Sequence, residues 1–175
     1  MMGKSMMTSD ADKQFLMEIA QGSVYDQATA ELAVQKAQSK SVQRYALRLM
    51  DDHNRLNKML LIQANTRGVV LPLTMSSEDQ DKLQSLMANS AGNDFDMAYL
   101  KEAIQINAND VRKANEAINA SSDQQFRSLM RDFAQTEQKH LDAASATLAD
   151  LQKTSGAMNN GMMNNGMMNN STMSK

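Results

Sequence analysis

The stretch MAYLKEAIQINANDVRKANEAI, residues 97–118, settles the fold class. Met97, Leu100, Ile104, Asn107, Val111, Ala114 and Ile118 recur there in strides that alternate three and four. Such spacing keeps one stripe of a 3.6-residue helix turned toward a core. A strand would need alternation by two, and none is present.

The same reading extends in both directions. Upstream, Phe15, Leu16, Ile19, Ser23, Asp26, Ala30, Ala33 and Ala37 predict a first helix from Ser9 or Asp10 to about Gln38, opened by Ser9-x-x-Asp12. Gly22 inside it costs ~1 kcal/mol against Ala and reads as a point of close packing. After the turn Ser39-Lys40-Ser41, a second helix carries Val42, Tyr45, Ala46, Leu49, His53, Leu56 and Leu60, with Gly68 as its stop. Ser77-x-x-Gln80 opens a shorter helix that ends by Gly92, and Asp94 caps the third long helix. The fourth opens at Ser122-x-x-Gln125 and turns Phe126, Met130, Phe133, Glu137, His140, Ala144 and Leu151 to one side, ending before Gly156.

The expected fold is therefore all-α: a ferritin-like four-helix bundle with a short extra helix in the long connection between helices two and three. Direct hairpins need only ~2–8 residues. A connection from about Gly68 to Asn93 is long enough to run the length of the bundle, which favours a crossover over up-and-down order. The chain divides into a Met-rich N-terminus expected to be disordered (1–8), the bundle (9–154) and a Met/Asn/Gly-rich tail expected to be disordered (155–175). That tail repeats a five-residue unit from Gly156, Gly161 and Gly166.

Composition removes several function classes. A formal charge of −2 with interspersed signs does not make the basic face that nucleic acid needs. No apolar run approaches the ~18 residues of a membrane span. Without cysteine there is no disulfide, thiolate site or cysteine nucleophile, a usage that fits an oxidising compartment. Met1 to Met7 is too short for a signal peptide's apolar region. The chain reads as cytosolic, or as a mature chain whose signal has been removed.

Both histidines fall on apolar seams. Asp26 lies about thirteen residues before the first turn and His53 about thirteen after it, ~20 Å from the turn at 1.5 Å per residue. Asn107 and the pair Glu137-x-x-His140 fall at similar depth in the second hairpin. Asp26, His53, Asn107, Glu137 and His140 thus form a candidate polar layer at mid-bundle. Such a layer is costly unless its groups satisfy one another or hold water or a metal. Imidazole and carboxylate suit Zn, Cu or Fe. The i, i+3 spacing of Glu137 and His140 is that of di-iron bundles. The second such motif is missing, because Met50 stands three residues before His53. A single ion or a metal-free layer fits better than a ferroxidase, while Tyr45, Tyr99 and Phe133 read as core.

Seventeen methionines are present, ten of them in the ends: Met1, Met2, Met6, Met7, Met158, Met162, Met163, Met167, Met168 and Met173. Core packing explains the other seven. The ends lack a helical apolar pattern, and thioether is a soft, neutral ligand for Cu(I) and Ag(I). Oxidant scavenging or neutral drift of a repeat are the competing accounts.

The stretch from Ala20 to Ala33, Val42-x-x-Tyr45-Ala46 leading to Asp51-Asp52-His53, Leu71-Pro72, Phe95-Asp96-x-x-Tyr99-Leu100 and His140-Leu141 resemble a bacterial family catalogued as domain of unknown function 4142. The resemblance covers roughly residues 10 to 152 and leaves the Met-rich tail outside. It implies an exported, ferritin-like helical protein and brings no established activity. Family members usually carry Glu where Asp26 stands, and often His where Asn107 stands, so a family metal site would be weakened here. The expected function is an extracytoplasmic, periplasmic-type metal-binding protein. Copper or silver tolerance would run through the tails, and metal ions or a second copy of the chain are its expected partners. The other expectations are an envelope structural protein without metal and, third, a ferritin-like oxidase.

Overall fold

The computed structural model describes the backbone of residues 9–166 and the side chains of residues 9–155. Among the described residues all regular structure is helical: α1 (Asp10–Lys36), α2 (Lys40–Thr66), α3 (Ser77–Ala88), α4 (Asn93–Ala120) and α5 (Gln124–Gly166). No helix among them is long and apolar enough to cross a membrane.

Local chemistry explains where the helices begin and end. Ser9 Oγ accepts from the Asp12 N–H at 3.1 Å and caps α1. Past α2, Gly68 takes a φ of 66°. Its N–H reaches the Asn65 carbonyl at 3.2 Å, and the Val69 N–H reaches Ala64 at 2.9 Å. Those two bonds are the paired closure that a left-handed residue permits.

Three helix starts differ from the sequence expectation. Ser76, rather than Ser77, caps α3. Gly92, with a φ of 110°, precedes α4 and leaves Asp94 inside the first turn. At α5 the cap is Asp123 rather than Ser122: its Oδ1 accepts from the N–H groups of Gln125 and Phe126 at 2.9 and 3.1 Å. Asp123 wins because its other oxygen takes the Arg67 guanidinium at 2.7 Å, which serine cannot match.

The far end differs as well. Instead of ending before Gly156, the α5 backbone stays helical to Gly166. Adding a residue to a helix already nucleated is cheap, which offsets the poor helix propensity of the Gly and Asn residues there. Of the end methionines, Met1, Met2, Met6, Met7, Met167, Met168 and Met173 lie outside the described residues. Met158, Met162 and Met163 lie outside the described side chains.

Hydrogen bonds at the two poles fix how the helices run. At one pole the N–H groups of Gln38 and Ser39 donate to the Asp96 carboxylate at 3.1 and 2.7 Å. This ties the α1–α2 turn to the start of α4. At the other pole Ser121 donates to Asp12 at 2.9 Å, and Arg67 to Asp123. The start of α1, the end of α2 and the α4–α5 turn therefore meet there. Since α2 ends at one pole and α4 begins at the other, segment 67–92 with α3 travels the length of the bundle.

The apolar core is divided. One cluster, near the Asp96 pole, holds Ala33, Val42, Tyr45, Leu49, Phe95, Tyr99 and Leu100. A second, near Asp123, holds Leu16, Leu60, Phe126, Leu129 and Met130, and a small third holds Leu56, Ala114 and Phe133. Between the first two lie the buried polar residues Ser23, Asp26, His53, Asn107, Glu137 and His140. Gly22 corrects the packing expectation, since a Cβ placed there would meet nothing within 4 Å.

The Arg67–Asp123 pair sets a measurable pH response. Burial alone would raise the Asp123 pKa, but the Phe126 and Gln125 N–H groups and the Arg67 guanidinium outweigh it and hold it below the usual carboxylate value. A carboxylate held low stabilises the fold above its unfolded pKa of ~3.9, and that stability is lost as pH falls through the folded value. Asp123→Ala removes the cap and leaves a nearly buried guanidinium unpaired, a loss of about 2–4 kcal/mol at pH 7 in urea denaturation. The difference between the two proteins should shrink below about pH 4. A constant difference across pH would refute this role.

Candidate metal centre

Three side chains meet in the gap between the two larger apolar clusters. His53 comes from the middle of α2, and Glu137 and His140 from one face of α5. All three are at most 2% exposed. One ligand atom from each can be chosen so that all lie within 4.8 Å of one another. His53 Nε2 stands 3.6 Å from Glu137 Oε1, and His140 Nδ1 stands 3.5 Å from Glu137 Oε2. The rings stack at a centroid distance of 5.5 Å with 20° between planes.

The outer ring nitrogens are spoken for. His140 Nε2 lies 3.1 Å from Asp52 Oδ2, and a carboxylate there can only accept, so Nε2 carries the hydrogen. Ser23 gives its own proton to Asn57 Oδ1 at 2.8 Å. Ser23 Oγ must then accept from His53 Nδ1, 3.3 Å away. Both neutral imidazoles therefore turn a bare lone pair inward. His53 Nε2, His140 Nδ1 and both Glu137 oxygens are buried without a hydrogen-bond partner. With both rings neutral, four electron-rich atoms face one another in the buried interior. An arrangement of this kind is filled by a proton or a metal ion.

Titration follows the surroundings. Burial pushes the His53 pKa down. Burial also opposes charge on His140, but hydrogen bonding and charge from Glu137 and Asp52 outweigh it and raise its pKa. Asp26 is pushed well up, first by burial and then by Asp110 and Glu137. Asp110 rises to about 7, again through burial first and Glu137 second.

Of the five midplane candidates, three converge and two stand apart. Asp26 Oδ2 is 3.8 Å from the outer nitrogen of His53, on the side away from Glu137. Asn107 gives its amide to the Tyr45 hydroxyl at 3.1 Å. The structure adds Asp52 and Ser23, which orient the two histidines, and Asp110. Asp52 lies in the Asp51-Asp52-His53 run already singled out. Asp110 lies one helical turn past Asn107, the signal that could have found it.

Comparison with known proteins gives a family and a fold neighbour. The family model described as Domain of unknown function (DUF4142) matches residues 2–147. No curated protein matches the chain. Among solved structures, the chain is similar to the crystal structure of a DUF305 fragment from Deinococcus radiodurans, at a TM-score of 0.72 and 13% identity. The match covers 82% of this chain and 98% of that one. At so low an identity the likeness speaks to the fold alone.

A buried carboxylate without donors weakens the bundle that holds it. Metal-free Glu137→Leu should therefore be more stable than its parent by about 1–4 kcal/mol in chelator-treated urea denaturation. Equal or lower stability of the variant would show that Glu137 is satisfied as it stands.

Proposed function

The chain belongs to the family described as Domain of unknown function (DUF4142), and from that premise we propose that it is an extracytoplasmic metal-binding protein. Its bundle, ferritin-like in its crossover, holds one first-row divalent ion at His53, Glu137 and His140. One observation carries this reading: four inward, buried, unpartnered donor atoms. Their spacing suits an ion. Bonds of 2.0–2.2 Å in a tetrahedral site put neighbouring ligand atoms about 3.4 Å apart, and the two contacts to Glu137 are 3.6 and 3.5 Å.

Two imidazoles and a carboxylate form a borderline donor set that accepts Zn(II), Cu(II) or Fe(II) and leaves a coordination position open. Asp52 and Ser23 fit the outer layer such a set uses to fix ring tautomers. With Met50 in place of a carboxylate three residues before His53, the donor set is that of a single-ion centre. The cysteine-free sequence suits an oxidising compartment.

The end methionines carry the second half of the proposal. They supply soft ligands for Cu(I) or Ag(I), as copper or silver tolerance would require, separate from the harder site in the bundle. Among the described residues, α1 begins at the Asp123 pole and α5 runs out past the Asp96 pole.

Two measurements test the two halves. Metal analysis and Co(II) or Zn(II) titration of the full chain should give one tight equivalent, and His53→Ala and His140→Ala should each abolish it. No bound ion in the unmodified protein would overturn the centre and favour a structural envelope protein whose polar layer fixes helix register. Independently, a chain ending at Ser155 should bind fewer equivalents of Cu(I) than the full chain. Equal stoichiometry would remove the tail's role.

A further inference from the structure

Gly22 sits in the middle of α1 with no packing reason to be glycine. Mid-helix glycine costs ~1 kcal/mol against alanine, and a Cβ there would touch nothing within 4 Å. The empty space has two parts. An outer groove of about 350 Å³ runs between α1, α3 and α4, with Glu18, Glu78, Asp79 and Asp110 facing Lys82 and Lys113. Inside it, a cavity of about 30 Å³ is lined by Asp26, His53, Asp110 and Phe133. Gly22, Glu18, Asp110 and Lys113 line both, so the two spaces adjoin at Gly22.

The inner cavity has room for a water or two and ends on His53. Asp26, only 5% exposed, lines it with a carboxyl that makes no hydrogen bond among the described residues. Glu18, Glu78 and Asp79 against Lys82 and Lys113 leave the groove net acidic even before Asp110, which titrates near 7, loses its proton, and this concentrates cations at its mouth. Lys113, paired with Glu18 at 3.5 Å, stands at the rim rather than in the cavity's depth. A second cavity, of about 10 Å³, also reaches His53 beside Ser23 and Asn57, but its lining is mostly apolar.

We propose that the gap at Gly22 is the entry route for the ion, leading from the acidic groove past Asp110 and Asp26 to His53. The inference rests on the metal-centre reading and adds a path to it. Gly22 is small so that a hydrated or partly hydrated divalent cation can pass. Asp26 and Asp110 are stepping ligands that take the place of lost water.

The test is kinetic, with Co(II) as the probe because its absorbance reports binding and the thioether tails bind it poorly. In stopped-flow mixing with the full chain, Gly22→Leu should slow loading severalfold while one equivalent still binds at the end. Its thermal stability should equal or exceed the parent's, since leucine is the better helix former. Asp110→Asn should slow loading with a weaker dependence on ionic strength, and Leu61→Asn, on the far face of α2, should change nothing. Unchanged loading rates in both groove variants would overturn the route while leaving the centre in place. Lost stoichiometry in Gly22→Leu would overturn it as well, by making Gly22 part of the site. A parent that takes up no Co(II) would overturn the route and the centre together.

Discussion

The structure turns on an electrostatic debt at its middle: when both imidazoles are neutral, their two inward lone pairs and a carboxylate face one another. Each outer nitrogen is already bonded, His140 to Asp52 and His53 to Ser23, so neither ring can flip to relieve the contact without breaking another buried bond. Breaking such a bond costs more than making one gains. The inward lone pairs are thus held in place by the groups outside them. A proton on His140 relieves part of the strain, which is why its pKa rises despite burial. An ion bound to all three side chains would relieve all of it.

The frame around this layer has the features needed to tolerate it. His53 belongs to the α1–α2 hairpin, Glu137 and His140 to the α4–α5 hairpin, so the layer forms only when the hairpins dock. Docking is driven by the apolar clusters on either side and locked at the poles. Asp96 holds the α1–α2 turn through two N–H groups, and Asp12, Ser121, Asp123 and Arg67 link the opposite turns. Charge-assisted bonds of this kind resist sliding. With both ends fixed, a helix cannot shift along its axis to bury an apolar residue in place of Glu137.

Much of this was legible in the sequence, and the rest was hidden for definite reasons. Seam spacing located His53, Glu137 and His140, and counting from the turns put them at one depth, because rise per residue is nearly constant. Counting gives depth but not azimuth. Asp26 and Asn107 lie at the right level yet point beside the triad, toward the outer nitrogen of His53 and the Tyr45 hydroxyl. Asp52 flanks the seam rather than lying on it, and only the neighbouring α5 brings it to His140. Caps were misplaced where several cap formers adjoin, as in Ser121-Ser122-Asp123, because the deciding partner, Arg67, is 56 residues away. Gly22 was misread outright. Absence of a side chain can serve close packing or open space, and the local sequence is the same for both.

The family motifs acquire separate meanings from the geometry. Phe95-Asp96-x-x-Tyr99-Leu100 is architectural: Phe95 and Tyr99 stack at 6.3 Å, Tyr99 meets Tyr45 edge-on, and Asp96 clasps the opposing turn. Asp52-His53 is different, for besides the exposed ion pairs of Asp52 with Arg48 and Arg55 it supplies a buried imidazole and a partner for another. The bundle could keep its frame and lose the second motif, as the 13% identity of the Deinococcus radiodurans fragment at a TM-score of 0.72 illustrates for fold without sequence. Residues that weaken a fold and yet are oriented by others within it are hard to account for by packing. The Asp52–His140–Glu137–His53 chain has that character, and a cation at its centre is the simplest single occupant that turns its cost into a use.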